Sequence, residues 1–122
     1  MKVAVLVKRV PDTASAIAVG SDGKSIGTDG LKYGLNPYEG HGVEEAVKLK
    51  ESAEAGVIIV CAGGEECKET MRVALAMGGD SGILVKDDAL ASAGPKGVSK
   101  ALAAALKTVS PDLVFAGKQA VD

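Results

Sequence analysis

Val57-Ile58-Ile59-Val60-Cys61-Ala62-Gly63-Gly64 is the stretch on which the fold turns. Its apolar residues follow one another without polar alternation, and two glycines end the run. A strand of this kind is buried on both faces, the condition of a strand inside a parallel sheet. A strand with one wet face would alternate instead.

The chain on either side of this run tells the same story. Downstream, Cys67, Thr70, Met71, Ala74 and Leu75 share one side of a predicted helix that stops at Gly78-Gly79. Gly82-Ile83-Leu84-Val85 reads as a short strand and Asp87 to Ala93 as a loop. Gly94-Pro95 then opens a helix with an apolar face of Val98, Ala101, Leu102, Ala105, Leu106 and Val109. Ser110-Pro111 ends it, and Leu113 to Ala116 is a further strand. Upstream, Val3-Ala4-Val5-Leu6-Val7 is another unbroken apolar run, closed by Lys8-Arg9 and Pro11. Ile17-Ala18-Val19 and Ser25-Ile26-Gly27 flank Gly20-Ser21-Asp22-Gly23, which predicts a β-hairpin. Asn36 is a favoured N-cap residue, Pro37 suits the first helical position, and Glu39 completes the spacing of a capping box. Val43, Ala46 and Val47 continue that helix at helical spacing, with Glu44, Glu45 and Lys48 on its wet side.

Buried strands alternating with helices mean right-handed βαβ units. The expected fold is α/β: a Rossmann-like parallel sheet with helices on both faces, layered as in the adenine nucleotide alpha hydrolases. The hairpin is an excursion after the first strand. Residues 1–122 carry no linker, repeat or low-complexity tract, so they are read as one domain.

Composition narrows the function. The chain has 47% apolar residues, 25% charged residues and a formal net charge of −2, without the basic patch of nucleic-acid binders. No apolar run approaches the length of a membrane span. A strand predicted from the third residue leaves no room for a signal peptide, so a cytoplasmic protein is expected. Cys61 and Cys67 lack the company of a metal site and read as reduced, structural residues.

Polar residues collect where strands end: Lys8-Arg9 after the first, Gly63-Gly64 after the second, Lys118-Gln119 after the fourth. Glycine turns and helix N-termini present backbone N–H groups to phosphate, and lysine supplies countercharge. Strand exits need turns and solvated lysines in any case, so the nucleotide reading competes here with a bland one. The dinucleotide fingerprint, the phosphate-loop motif and the nucleophile elbow are all missing. His41 has no sequence partner for catalysis, and no nucleophile stands beside a base. The residues alone therefore describe a binding module without catalytic groups.

Several segments together resemble the beta subunit of the electron-transfer flavoprotein family. They are Val7-Lys8-Arg9-Val10-Pro11-Asp12, Leu35-Asn36-Pro37-Tyr38-Glu39, Val43 to Glu51, Glu69 to Gly78, Pro111-Asp112-Leu113-Val114, and Gly117-Lys118-Gln119-Ala120-Val121-Asp122. They occur in family order, span nearly the whole chain, and correspond to about the first half of a typical member. The resemblance implies a bacterial or archaeal electron carrier that pairs with an FAD-bearing alpha subunit. That carrier would take electrons from dehydrogenases and pass them to a quinone reductase or another acceptor. The beta subunit would hold AMP structurally, or a second FAD in electron-bifurcating members.

Carried over position by position, the nucleotide contacts fall on Leu6, on Asn36, Pro37, Tyr38 and Glu39, on Ala62, and on Gly117, Lys118, Gln119, Ala120, Val121 and Asp122. Lys8 and Gly63 join them as strand-exit residues. The family's acidic Asn-Gln-Thr-Gly continuation, which supplies phosphate-binding amides, is expected after Asp122. Thr13 stands where many members carry an aromatic. A competing reading is an ATP- or AMP-binding regulatory domain of the universal-stress type. That reading wants a glycine-rich phosphate loop near the fourth strand's exit, which residues 117–122 do not supply.

Overall fold

The computed structural model describes residues 1–122. In chain order the elements are β1 (Lys2–Val7), β2 (Arg9–Pro11), β3 (Tyr33–Leu35), α1 (Pro37–Ala53), β4 (Gly56–Ala62), α2 (Cys67–Ala76), β5 (Ser81–Val85), α3 (Pro95–Val109) and β6 (Leu113–Phe115). A single 3-10 turn, Asp88–Ala91, interrupts the loop before α3, started by the Asp87 carboxylate accepting from the Ala89 amide at 2.8 Å.

The four apolar runs form one parallel sheet in the order β5-β4-β1-β6. The chain builds from β1 outward through β4 and β5, then crosses back to place β6 on the other side of β1. That reversal is a topological switch point, where an open α/β sheet leaves a crevice beyond its strand ends.

Register divides the side chains. Val3 lies opposite Val57, Val5 opposite Ile59 and Val7 opposite Cys61. All six point to one face, where they pack with Val43 and Ala46 of α1 and with Cys67, Met71 and Ala74 of α2. The opposite face, carrying Leu6 and Ala62, meets Val98 and Leu102 of α3. Helices cover both faces, two on one and one on the other. The apolar stripe of α3 falls on the predicted positions, yet none of its residues is fully buried. One helix does not span the face of a four-stranded sheet.

Paired aspartates fasten the lower ends of the strands. The Asp112 carboxylate accepts from the Lys2 amide at 2.7 Å, and the Asp112 amide donates to the Lys2 carbonyl at 2.8 Å. Asp80 does the same for β4: its carboxylate accepts from the Val57 amide at 2.8 Å and pairs with Lys50.

The excursion is the expected hairpin in minimal form. Its two arms meet at one antiparallel bridge, Val19 with Ile26, beside a turn in which Asp22 accepts from the amides of Lys24 and Ser25. The regular pairing lies instead at its base, where β2 runs antiparallel to β3 and Arg9 lies over the Tyr33 ring, 3.6 Å from its centroid. The physical reason is burial. Val19 is 76% exposed, and Ile17 and Ile26 are exposed too, so the arms have no core to hold them as strands.

Candidate functional site

Above the carboxyl ends of β1, β4 and β6 lies a cleft of about 570 Å³. Leu6, Ala62 and Ala116 form its strand-end floor, while Pro95, Val98 and Leu102 of α3 form the facing wall. Lys8, Glu39 and Gly117 supply its polar rim. A second hollow of about 410 Å³ continues it past Ala62 toward Gly63, Gly64 and Lys86. Gly63 has φ 155°, and its turn also brings it against Cys67: a Cβ there would stand 2.5 Å from that sulfur. Another hollow of about 520 Å³ opens on the excursion, but loop residues alone bound it and no strand end reaches it.

The start of α1 and the segment after β6 are clasped together at the rim. Asn36 is completely buried, and its Nδ2 donates to the Gln119 carbonyl at 2.9 Å. Its Oδ1 accepts from the Val121 amide at 3.1 Å. Gln119 Nε2 donates to the Tyr38 hydroxyl at 3.3 Å, and Lys8 Nζ pairs with Asp122 at 2.6 Å. The predicted capping box is therefore corrected. Asn36 makes no side-chain cap, because its acceptor oxygen is committed to Val121. The Asn36 amide donates to the Lys8 carbonyl at 3.0 Å, which leaves Glu39 nothing to reach back for.

Glu39 lies beneath Gly117 instead. A Cβ on Gly117 would stand 2.5 Å from Glu39 Oε1, so the absence of a side chain at 117 lets the carboxyl fit. Glu39 is 8% exposed and its Oε2 has no hydrogen-bond partner. Burial raises its pKa, with the Asn36 amide and the Lys8 cation pulling the other way.

The structure thus brings Leu6, Lys8, Glu39, Ala62 and Gly117 to one cleft, with Asn36, Tyr38, Gln119, Val121 and Asp122 in the clasp at its edge. Gly63 borders the adjoining hollow. Pro37 and Val121 face a smaller hollow beside Val10 and Pro11, away from the cleft. Lys118 is exposed, Ala120 half-buried, and neither lines the cleft. His41 is exposed and 3.9 Å from Glu44. Cys61 and Cys67 are free and buried, and burial together with the neighbouring Cys67 pushes the Cys61 thiol up to about 12. The sequence reading missed the α3 wall. Val98 and Leu102 stood out only as an apolar stripe, a pattern identical for packing on a sheet and for walling a cleft.

The arrangement offers apolar surfaces for a planar base, backbone and lysine at the rim, and a buried oxygen seeking a donor. The model of the electron transfer flavoprotein domain family matches residues 24–122. The chain is 44% identical over 125 residues to the electron transfer flavoprotein subunit beta of Mus musculus and, equally, to that of Homo sapiens. It is 42% identical over 123 residues to the subunit beta of Bradyrhizobium diazoefficiens. Each match takes in all of this chain and 49% of the relative, so the chain spans about half the length of the curated relatives it matches.

Proposed function

The chain belongs to the electron transfer flavoprotein family, and from that premise we propose that it is the nucleotide-holding portion of a beta subunit. Its cleft takes AMP, or a second FAD, as a structural ligand. The subunit pairs with an alpha subunit that carries the redox-active FAD, accepts electrons from dehydrogenases and delivers them to a quinone reductase or a comparable acceptor. The observation that supports this most directly is the cleft itself, which lies where the strand order reverses and is floored by Leu6 and Ala62.

The residues fit an adenine nucleotide. Leu6, Ala62, Val98 and Leu102 offer apolar contact to the base, Lys8 offers positive charge, and Glu39 offers an unfilled acceptor. The flavin supplies reversible electron acceptance when bound. This chain's part is to seat the nucleotide and brace the α1 start and residues 117–122 around it, giving the subunit a fixed shape for its partner. No helix is long and apolar enough to cross a membrane.

The test is to purify the full-length protein from its native source, denature it, and identify released nucleotides by chromatography. A flavin-bearing partner with AMP or FAD released from the complex supports the reading. A lone, colourless dimer that releases ATP overturns it in favour of a regulatory nucleotide-binding domain.

A further inference from the structure

Asp-Gly occurs twice in the chain, as Asp22-Gly23 and Asp29-Gly30, and both dipeptides lie exposed on the excursion. The pair carries an intrinsic reaction: the glycine amide nitrogen, unshielded by a side chain, can attack the carboxyl carbon of the aspartate before it. The structure holds the two copies differently. At the first, the Asp22 carboxylate accepts from the Lys24 amide, the Ser25 amide and the Ser25 hydroxyl, each at 2.9 Å. The Gly23 amide is occupied too, donating to the Gly20 carbonyl at 2.9 Å. The bonds from Lys24 and Ser25 hold the Asp22 carboxyl below its usual pKa, in the ionised form that resists attack. At the second copy, the Asp29 carboxylate accepts no hydrogen bond and the Gly30 amide donates none. Only a 3.3 Å bond from the Leu31 amide to the Thr28 carbonyl closes that turn. Nucleophile and electrophile are both tied at Asp22 and both free at Asp29.

We propose that Asp29-Gly30 is a modification site, where the chain converts to isoaspartate while Asp22-Gly23 is protected. The Gly30 nitrogen bonds to Asp29 Cγ, and the carboxyl hydroxyl leaves with the nitrogen's proton as water, closing a succinimide ring. Water then adds at either ring carbonyl. Opening at Cγ restores aspartate; opening at the main-chain carbonyl leaves the backbone running through the side-chain carboxyl. One water leaves and one returns, so no other reactant is consumed. The product has an extra methylene in its backbone and a free α-carboxylate, on an exposed turn that an enzyme can reach. That carboxylate is the chemical class of substrate for methyl transfer from S-adenosylmethionine, in which an oxygen gains the methyl and the sulfonium becomes a thioether. The change falls shortly before Lys32, whose carbonyl accepts from the Asp12 amide at 2.8 Å at the base of the excursion.

The experiment ages the full chain, with any co-purifying partner retained, in mildly acidic to neutral buffer. Trypsin then separates the two sites into the peptides Val10–Lys24 and Ser25–Lys32. Isoaspartate in each is counted by enzymatic methylation with labelled S-adenosylmethionine. It should accumulate in Ser25–Lys32 on the order of tenfold or more faster than in Val10–Lys24, the scale set by breaking the bonds that tie Asp22 and Gly23. In urea the two rates should converge, because the unfolded dipeptides are chemically alike. Asp29→Glu should abolish the signal in Ser25–Lys32, and Ser25→Ala, which deletes one bond to Asp22, should raise the rate at Asp22. Equal rates in the folded protein, faster change at Asp22, or no isoaspartate at either site overturns the assignment. So does a difference that persists undiminished in urea. The comparison of the two peptides in the unmodified protein needs no variant to fold.

Discussion

Gly117 and Glu39 are a coupled pair, and each constrains what the other position tolerates. Gly117→Ala places a methyl where the Glu39 carboxyl now lies, 2.5 Å from Oε1, and should cost about 1–2 kcal/mol through displaced packing. The cost should shrink in a Glu39→Ala background, because the obstructing atoms are gone. Additive effects in urea melts of the four proteins would refute the contact. Glu39 also has a pH signature. Burial raises its folded pKa above the unfolded value, so its neutral form favours folding. That contribution is complete below the ordinary carboxyl range and is lost as pH rises through the raised value. Glu39→Gln should abolish this decline and be more stable than the parent near neutrality by about 1 kcal/mol. Parallel stability profiles across pH would contradict it.

The clasp between α1 and residues 119–122 shows how an element's role can differ from its local grammar. Asn36-Pro37-Tyr38-Glu39 has the composition of a capped helix start, and a helix does start there. Asn36 had a choice between a helix amide and the Val121 amide, and tertiary structure decided it; nothing within residues 36–39 encodes that choice. Asn36→Ala should cost about 2 kcal/mol for two part-buried hydrogen bonds, with the loss showing as faster amide exchange at Val121 rather than fraying of α1. Unchanged exchange at Val121 would restore the cap. By contrast, β1, β4 and the helices were legible because an unbroken apolar run and a 3.6-residue stripe are local signals. The β2–β3 pair was not. Each strand has three residues, one holds Pro11 and the other Gly34, and only their distant pairing makes them strands. The cleft's floor at Leu6 and Ala62 was legible through the family resemblance, and its α3 wall was not.

For the whole molecule, both β1 and β4 begin at carboxylate fasteners, and the one at β4 is sensitive to acid. Lys50 and the Val57 amide hold the Asp80 carboxyl below its usual pKa, so its stabilising share is present above the unfolded pKa and disappears as pH falls through the folded one. Asp80→Asn should lower the melting temperature at neutral pH and make it less dependent on acid. Melting curves that run parallel to the parent down to acid pH would show that the fastener carries no stability. The other fastener has a consequence in time. It joins Lys2 to Asp112, residues 110 apart in sequence, and β1 receives β6 as a neighbour only through that long closure. A ribosome making this protein releases the first strand long before its last partner. β1 can pair with β4 while the residues between β4 and β6 are still being made, but one side must wait, unpaired, until β6 emerges. The four-stranded sheet is completed from the middle outward, and the cleft waits for β6, whose exit lines it. A nascent chain halted before residue 110 would therefore hold a core and no closed cleft.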